Sequence, residues 1–68
     1  MLIIGLDMGG TTTKGVLVSE SGILAKTVVV ASDPLAAAAG AMGKLVSDQG
    51  IEISDVEAIA LSGGKMKP

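Results

Sequence analysis

A short run near the start of the chain combines a carboxylate, two glycines, three hydroxyls and a cation: Asp7-Met8-Gly9-Gly10-Thr11-Thr12-Thr13-Lys14. Glycines allow a backbone to approach an anion closely, and amides freed by a glycine turn can point at it. Threonine hydroxyls add donors, and a lysine places positive charge beside phosphate oxygens. An aspartate suits Mg²⁺, which prefers few carboxylates together with substrate phosphates. The run therefore predicts an electrostatic clamp for phosphoryl transfer.

An ordinary hairpin would also account for this run, because Asp and Gly are turn residues and Thr suits strands. Spacing alone leaves both interpretations open. The sequence has no G-x-G-x-x-G motif, and Gly43-Lys44 does not end a Walker A loop. Ala38 stands where the first glycine of such a loop should be, and Leu45 replaces its Ser or Thr.

The surrounding pattern is typical of an α/β fold. Alternating and β-branched runs predict strands at 2–6, 12–19, 23–31 and 57–61. The first three fit an antiparallel meander, with the paired glycines of the first turn allowing positive φ. A helix is predicted over 35–49, and the crossover to the last strand makes a βαβ-type unit in which this fourth strand is parallel to the first.

Capping residues frame the predicted helix. Ser32 and Asp33 suit the N-cap, Pro34 the first helical position and Gly50 the C′ position. The helix is predicted to bury one apolar stripe, formed by Leu35, Ala38, Ala39, Met42, Leu45 and Val46. Gly40 and Gly43 cost roughly 1 kcal/mol each relative to Ala, so we expect close backbone approach on this helix.

Composition narrows the range of functions. The 68 residues suffice for one domain and include no Cys, no His and no aromatic residue. Net charge is −2, so nucleic-acid binding is not expected. The first residues lack a basic region and soon meet Asp7, which indicates neither a signal peptide nor a membrane span and favours a cytoplasmic protein. Asp48, Glu52, Asp55 and Glu57 are expected to form a solvated surface, and Lys65 and Lys67 a frayed tail.

The stretch 5–14 resembles the phosphate-binding motif of the actin/hexokinase/Hsp70 superfamily, and its Asp-x-Gly-Gly-Thr-x-x-Lys form resembles type II pantothenate kinases. Stretches 31–34, 40–44 and 58–64 are also similar to that kinase family. The resemblance implies a ribonuclease-H-like α/β domain, with ATP and Mg²⁺ as cofactors and pantothenate as the acceptor in the first step of coenzyme A biosynthesis. It further implies residue roles: Asp7 toward Mg²⁺, Gly9, Gly10, Thr11, Thr12 and Thr13 around the ATP phosphates, Lys14 beside them, and Gly63 and Gly64 shaping the cleft.

The chain also departs from that kinase family. The family's general base is a carboxylate on a later strand, so no catalytic residue is expected within 1–68. The adenosine-binding segment and most of the second lobe are not found, and the ending 65–68 does not resemble the family's continuation. We therefore expect residues 1–68 to be a truncated N-terminal phosphate-binding portion that is inactive alone.

Two alternatives stay open. One is an activator-type or other sugar-kinase-like ATPase of the same superfamily. Activators more often carry Gly-Ser at the Gly9-Gly10 position and hold an iron–sulfur cluster with cysteines, and this chain has none. The other is a non-catalytic, self-associating fragment, because open strand edges and an uncovered sheet face favour a homo-oligomer.

Overall fold

The computed structural model describes residues 1–63, which form a four-stranded mixed sheet with one helix packed on one face. The elements are β1 (Leu2–Met8), β2 (Thr12–Ser19), β3 (Gly22–Val30), α1 (Pro34–Asp48), a 3₁₀ turn (Ile53–Asp55) and β4 (Ala58–Ser62). The strand order is β3-β2-β1-β4. The β1–β2 and β2–β3 pairs are antiparallel, and β4 is parallel to β1. The predicted meander, crossover helix and parallel fourth strand are confirmed.

Strand β1 runs further than the sequence predicts. It continues to Met8, so Asp7 lies inside the strand and not just after it. The extension has a simple cause: Asp7 has pairing partners on both sides, Lys14 on β2 and Ser62 on β4. Strand β4 likewise begins and ends one residue later than predicted.

The ends of α1 are those that the capping residues predict. A carboxylate oxygen of Asp33 accepts a hydrogen bond from the Leu35 amide at 3.0 Å, which satisfies one of the unpaired donors of the first turn. Pro34 opens the helix, where its missing N–H costs nothing. Gly50 adopts φ +66° just past the C-cap, a left-handed conformation that glycine allows.

The buried stripe of α1 differs from the predicted one. Ala37, Ala41 and Leu45 are at most 1% exposed, whereas Leu35 is 78% exposed and Ala39 is also exposed. The helix therefore presents its i, i+4, i+8 line to the sheet, and small alanines occupy two of the three positions. The remaining predicted members pack around this line as partly buried residues: Ala38, Met42 and Val46.

A glycine of the sheet provides the close approach between the two layers. A Cβ on Gly15 would lie 3.1 Å from both Leu45 Cδ1 and Leu6 Cδ2, closer than ordinary packing. The helical glycines do not have this role. A Cβ on Gly40 would make only an ordinary contact with Val29 at 3.7 Å, and one on Gly43 would meet nothing within 4 Å. The expectation based on these two helical glycines was wrong.

Strand alternation separates the two faces of the sheet. On β1, Ile4, Leu6 and Met8 are buried under the helix, and the residues between them lie on the opposite face. That opposite surface, here called the open face, is covered by no element of residues 1–63. Val28 and Val30 of β3 lie on it and are 61% and 77% exposed.

Helix α1 has 15 residues. No helix within residues 1–63 reaches the length and apolar character that crossing a membrane demands.

Candidate functional site

Three polar side chains from neighbouring strands form a row on the open face. Lys14 of β2 stands directly opposite Asp7 of β1, and Ser62 of β4 is the register partner of Asp7 on its other side. Paired residues of adjacent strands point to the same face, so these side chains are neighbours. The side chains of Asp7 and Lys14 are exposed, and no ion pair joins them in the described part of the chain. The carboxylate and the ammonium are thus both available to a ligand.

A shallow, open depression of about 400 Å³ lies beside this polar row. It is lined by Gly5, Leu6, Asp7, Lys14, Val16, Ala60, Leu61 and Ser62. Gly5 keeps the depression open, because a Cβ at that position would project onto the open face and come within 3.3 Å of Val16 Cγ2. The charged pair of Asp7 and Lys14 therefore lines an open depression together with apolar and small residues.

The turn that joins β1 to β2 is fixed at both ends. The Gly9 amide donates to the Thr12 carbonyl at 2.9 Å, and the Ala31 amide donates to the Thr11 carbonyl at 2.8 Å. In contrast, the amide N–H groups of Gly10 and Thr11 donate no hydrogen bond to any part of residues 1–63. Both residues are exposed. The turn therefore carries two unengaged backbone donors beside Asp7 and Lys14, as an anion site requires.

The two glycines of this turn serve different purposes, and neither of them has positive φ. The positive φ that paired glycines allow is not adopted in this turn. A Cβ on Gly9 would lie 2.9 Å from the Thr12 carbonyl oxygen, so glycine is needed for the turn itself. A Cβ on Gly10 would meet nothing within 4 Å, so the fold does not require glycine there. The lack of a side chain at Gly10 instead leaves space beside the backbone of the turn.

The threonines divide between the two faces of β2. Thr12 shares the open face with Lys14, whereas Thr13 is 2% exposed and lies on the helix side. The structure therefore brings Asp7, Lys14 and the hydroxyl of Thr12 to one face, but not the hydroxyl of Thr13. The sequence alone could have corrected the inclusion of the Thr13 hydroxyl. Side chains alternate along a strand, so those of Thr13 and Lys14 point to opposite faces of the sheet.

Ser62 is a site residue that the sequence analysis did not single out. Its hydroxyl donates a weak hydrogen bond to the Leu6 carbonyl at 3.4 Å. Its place beside Asp7 depends on the parallel register of β1 and β4, for which the sequence carries no local signal.

Gly63 closes the end of β4 against β1. It has φ +118°, and an added Cβ would overlap the backbone of Met8. Only glycine allows the chain to pass so close to β1 at this point. The other residues predicted near this end, Gly64, Lys65 and Lys67, lie outside the described residues.

The remaining acidic residues do not form a metal site. Within residues 1–63 no group of three or more potential ligands could hold a metal ion. Asp48, Glu52, Asp55 and Glu57 are all exposed, and Asp48 pairs with Lys44 at 3.3 Å on the surface of α1. A bound Mg²⁺ would therefore depend on Asp7 together with oxygens supplied by a ligand and water, the coordination that Mg²⁺ commonly takes.

Substituting Gly10 by valine tests the turn. Because a Cβ there meets nothing, Gly10→Val should leave the urea midpoint unchanged. It should weaken ATP binding by about tenfold, or about 1.4 kcal/mol, because the side chain keeps phosphate from the backbone donors. Isothermal titration of the unsubstituted chain and of Gly10→Val with ATP measures the difference in affinity. The control is Gly43→Ala on the exposed helix surface, and equal ATP affinity in all three proteins would contradict the phosphate cradle.

The sheet order and the crossover helix are those of the opening of an actin/hexokinase/Hsp70-like fold. The solved structure of the activator of the 2-hydroxyisocaproyl-CoA dehydratase from Clostridium difficile, with bound ADPNP, supports this class. It matches 94% of this chain with a TM-score of 0.83 and 25% sequence identity. The chain spans about a quarter, 24%, of the length of that protein. No protein-family model matches the chain, and no curated protein matches it.

Proposed function

We propose that this chain supplies the ATP phosphate-binding hairpin of a kinase that phosphorylates pantothenate. The observation that carries the nucleotide part is the turn. The amides of Gly10 and Thr11 donate to nothing within residues 1–63, and they lie beside the charges of Asp7 and Lys14, which form no ion pair within the same residues. The structural neighbour was solved with ADPNP, which supports ATP as the ligand. Cytoplasmic location, where ATP is abundant, is part of this proposal.

The residues present suit ATP with Mg²⁺. When bound, this group supplies the phosphoryl group to be transferred. The turn amides would hold phosphate oxygens, Lys14 would neutralise their charge, and Asp7 would hold Mg²⁺ directly or through water. The hydroxyl of Thr12 adds a donor on the same face. Such a set positions and stabilises charge but abstracts no proton, so a general base must come from outside these residues.

Pantothenate as the acceptor is supported by the sequence resemblance described above. The motif Asp7-x-Gly9-Gly10-Thr11-x-x-Lys14 and the later stretches 31–34 and 40–44 carry that resemblance. A second candidate is an activator-type ATPase, because the solved neighbour is the activator of a dehydratase. The absence of cysteine counts against an iron–sulfur activator within this chain, and Gly10 differs from the serine common in that branch.

Titration of the 68-residue chain with Mg²⁺-ATP, followed by amide NMR, tests the hairpin. Shifts centred on the amides of residues 9–13 are expected, with the same titration of Mg²⁺-free ATP as the comparison. Absence of shifts at millimolar nucleotide in the folded chain would refute the hairpin's role. The acceptor is tested separately, in a polypeptide that includes the rest of the catalytic domain. ATP turnover that depends on pantothenate favours the kinase, and turnover that ignores pantothenate favours the activator.

A further inference from the structure

Ser62 is held at a fixed place beside Asp7. The parallel register of β4 with β1 pairs the two residues, and both line the depression on the open face. The end of β4 is fixed against β1, because Gly63 follows with φ +118° and passes so close that an added Cβ would overlap the backbone of Met8. The Ser62 side chain therefore stands next to the carboxylate that the proposed site uses for Mg²⁺.

The hydroxyl of Ser62 has one proton and two lone pairs, so it can donate one hydrogen bond and accept two. Within residues 1–63 it donates to the Leu6 carbonyl at 3.4 Å and makes no hydrogen bond with the Asp7 carboxylate. The oxygens of Asp7 are therefore available to a cation. The lone pairs of the Ser62 hydroxyl, which accept from no donor in the same part of the chain, are available to a ligand.

An acceptor at this position selects the kind of group that it can bind. Phosphate oxygens are acceptors themselves, so they belong with Lys14 and the turn amides and not with Ser62. Water bound to a divalent cation is a strong donor, because the cation polarises its O–H bonds. Mg²⁺ commonly keeps several waters, and no group of three or more potential ligands surrounds Asp7 within residues 1–63. Waters would therefore fill most of the coordination positions that phosphate leaves.

We propose that Ser62 is a positioning residue for Mg²⁺: its hydroxyl accepts a hydrogen bond from a water of the hydrated cation that Asp7 holds. The inference rests on the proposed Mg²⁺-ATP site, and it adds a residue from β4 to a site that otherwise lies in one hairpin. A neutral hydroxyl suits this place, because it adds no charge that would repel phosphate. Residues that contact the ligands of a metal, and not the metal itself, orient those ligands and raise metal affinity.

Isothermal titration separates this role from others. In Ser62→Ala the affinity for Mg²⁺-ATP should fall about fivefold, the equivalent of one neutral hydrogen bond. The affinity for Mg²⁺-free ATP should not change, because Ser62 contacts no phosphate. Ser62→Thr keeps the hydroxyl and suits a strand, so it should retain the affinity of the unsubstituted chain. The matched control is Ser47→Ala, which removes an exposed serine of α1 and should alter neither titration.

The outcomes distinguish this inference from the proposed function. If the unsubstituted chain binds neither form of ATP, both are wrong. If it binds Mg²⁺-ATP and Ser62→Ala binds it equally well, only the role of Ser62 is refuted. Equal losses of affinity with and without Mg²⁺ would also refute that role, because Ser62 would then contact the nucleotide or support the fold. So would a Ser62→Thr variant as weak as Ser62→Ala.

Amide NMR tests the same role without a substitution. Mg²⁺-free ATP should shift the amides of the turn, residues 9–13. Mg²⁺ added to the chain already saturated with ATP should then shift the amides of Asp7 and Ser62. A turn that responds to ATP, together with a Ser62 amide that ignores Mg²⁺, would support the phosphate cradle and overturn the role of Ser62.

Discussion

Replacement of Asp7 by asparagine should abolish the Mg²⁺-dependent part of ATP binding while the fold survives. The substitution keeps the size and strand position of the side chain and removes only its charge. Mg²⁺-ATP affinity should fall by about tenfold or more, or about 1.4 kcal/mol, because a neutral amide is a poor ligand for this hard cation. Affinity for Mg²⁺-free ATP should rise, because Asp7 no longer repels the phosphates. The ATP affinity measured with Mg²⁺ should therefore fall, and the affinity measured without Mg²⁺ should rise.

The matched control for Asp7→Asn is Asp48→Asn. Asp48 is an exposed carboxylate on α1 whose ion pair with Lys44 lies at the surface, where such pairs contribute little. Its loss should alter neither titration. In a polypeptide that carries the rest of the catalytic domain, Asp7→Asn should also abolish turnover. A normal steady-state rate in that variant, or equal responses of the two aspartates, would contradict the role assigned to Asp7.

Substitution of Gly15 by valine should remove a large part of the free energy of unfolding. Even the first added carbon would lie 3.1 Å from Leu45 Cδ1 and Leu6 Cδ2 and 3.3 Å from Thr27 Cγ2. Overpacking of this kind costs about 1–3 kcal/mol. A core of this size rarely supplies more than about 3–5 kcal/mol, so the loss is a large fraction of the total stability. Urea denaturation followed by far-UV circular dichroism measures it, because the chain has no aromatic residue to report unfolding by fluorescence.

Gly43→Ala is the control for Gly15→Val, and its expected effect on the free energy of unfolding has the opposite sign. Gly43 lies on the exposed surface of α1, where a Cβ meets nothing within 4 Å. Alanine there should raise the free energy of unfolding by up to about 1 kcal/mol through helix propensity. If both variants were neutral, the contact between Gly15 and the helix would not carry the packing described above.

Local patterns in the sequence were sufficient to predict most of the fold. Asp33, Pro34 and Gly50 identified the ends of α1, because each acts through its own backbone and nearest neighbours. Which face of α1 is buried against the sheet was less predictable. In an alanine-rich helix the exposed Leu35 and the buried Ala37 differ only through what the sheet presents to them. The sheet presents Gly15, whose role depends on a contact between residues distant in the chain.

The candidate site was predictable where it lies in one hairpin. Asp7, the glycine turn and Lys14 are adjacent in sequence, so the motif itself brings them together. Ser62 was missed because it joins this group only through the register of a parallel strand. Thr13 was included because the motif was considered residue by residue, whereas strand alternation turns its side chain into the core. The motif contains the polar residues, and the sheet determines which of their side chains share one face.

The parallel pairing of β1 with β4 also bears on the order in which this molecule folds. Within the meander, partners are close in sequence, as Met8 and Thr13 are, whereas Ile3 pairs with Ala58 near the other end of the described chain. Closing so long a loop costs entropy that the local hairpins do not require, so contacts of this kind form late and slow folding. Strand β4 should thus be the last to dock and the first to open in the native state. The row of Lys14, Asp7 and Ser62 is complete only after that final step, which makes the site a reporter of complete folding.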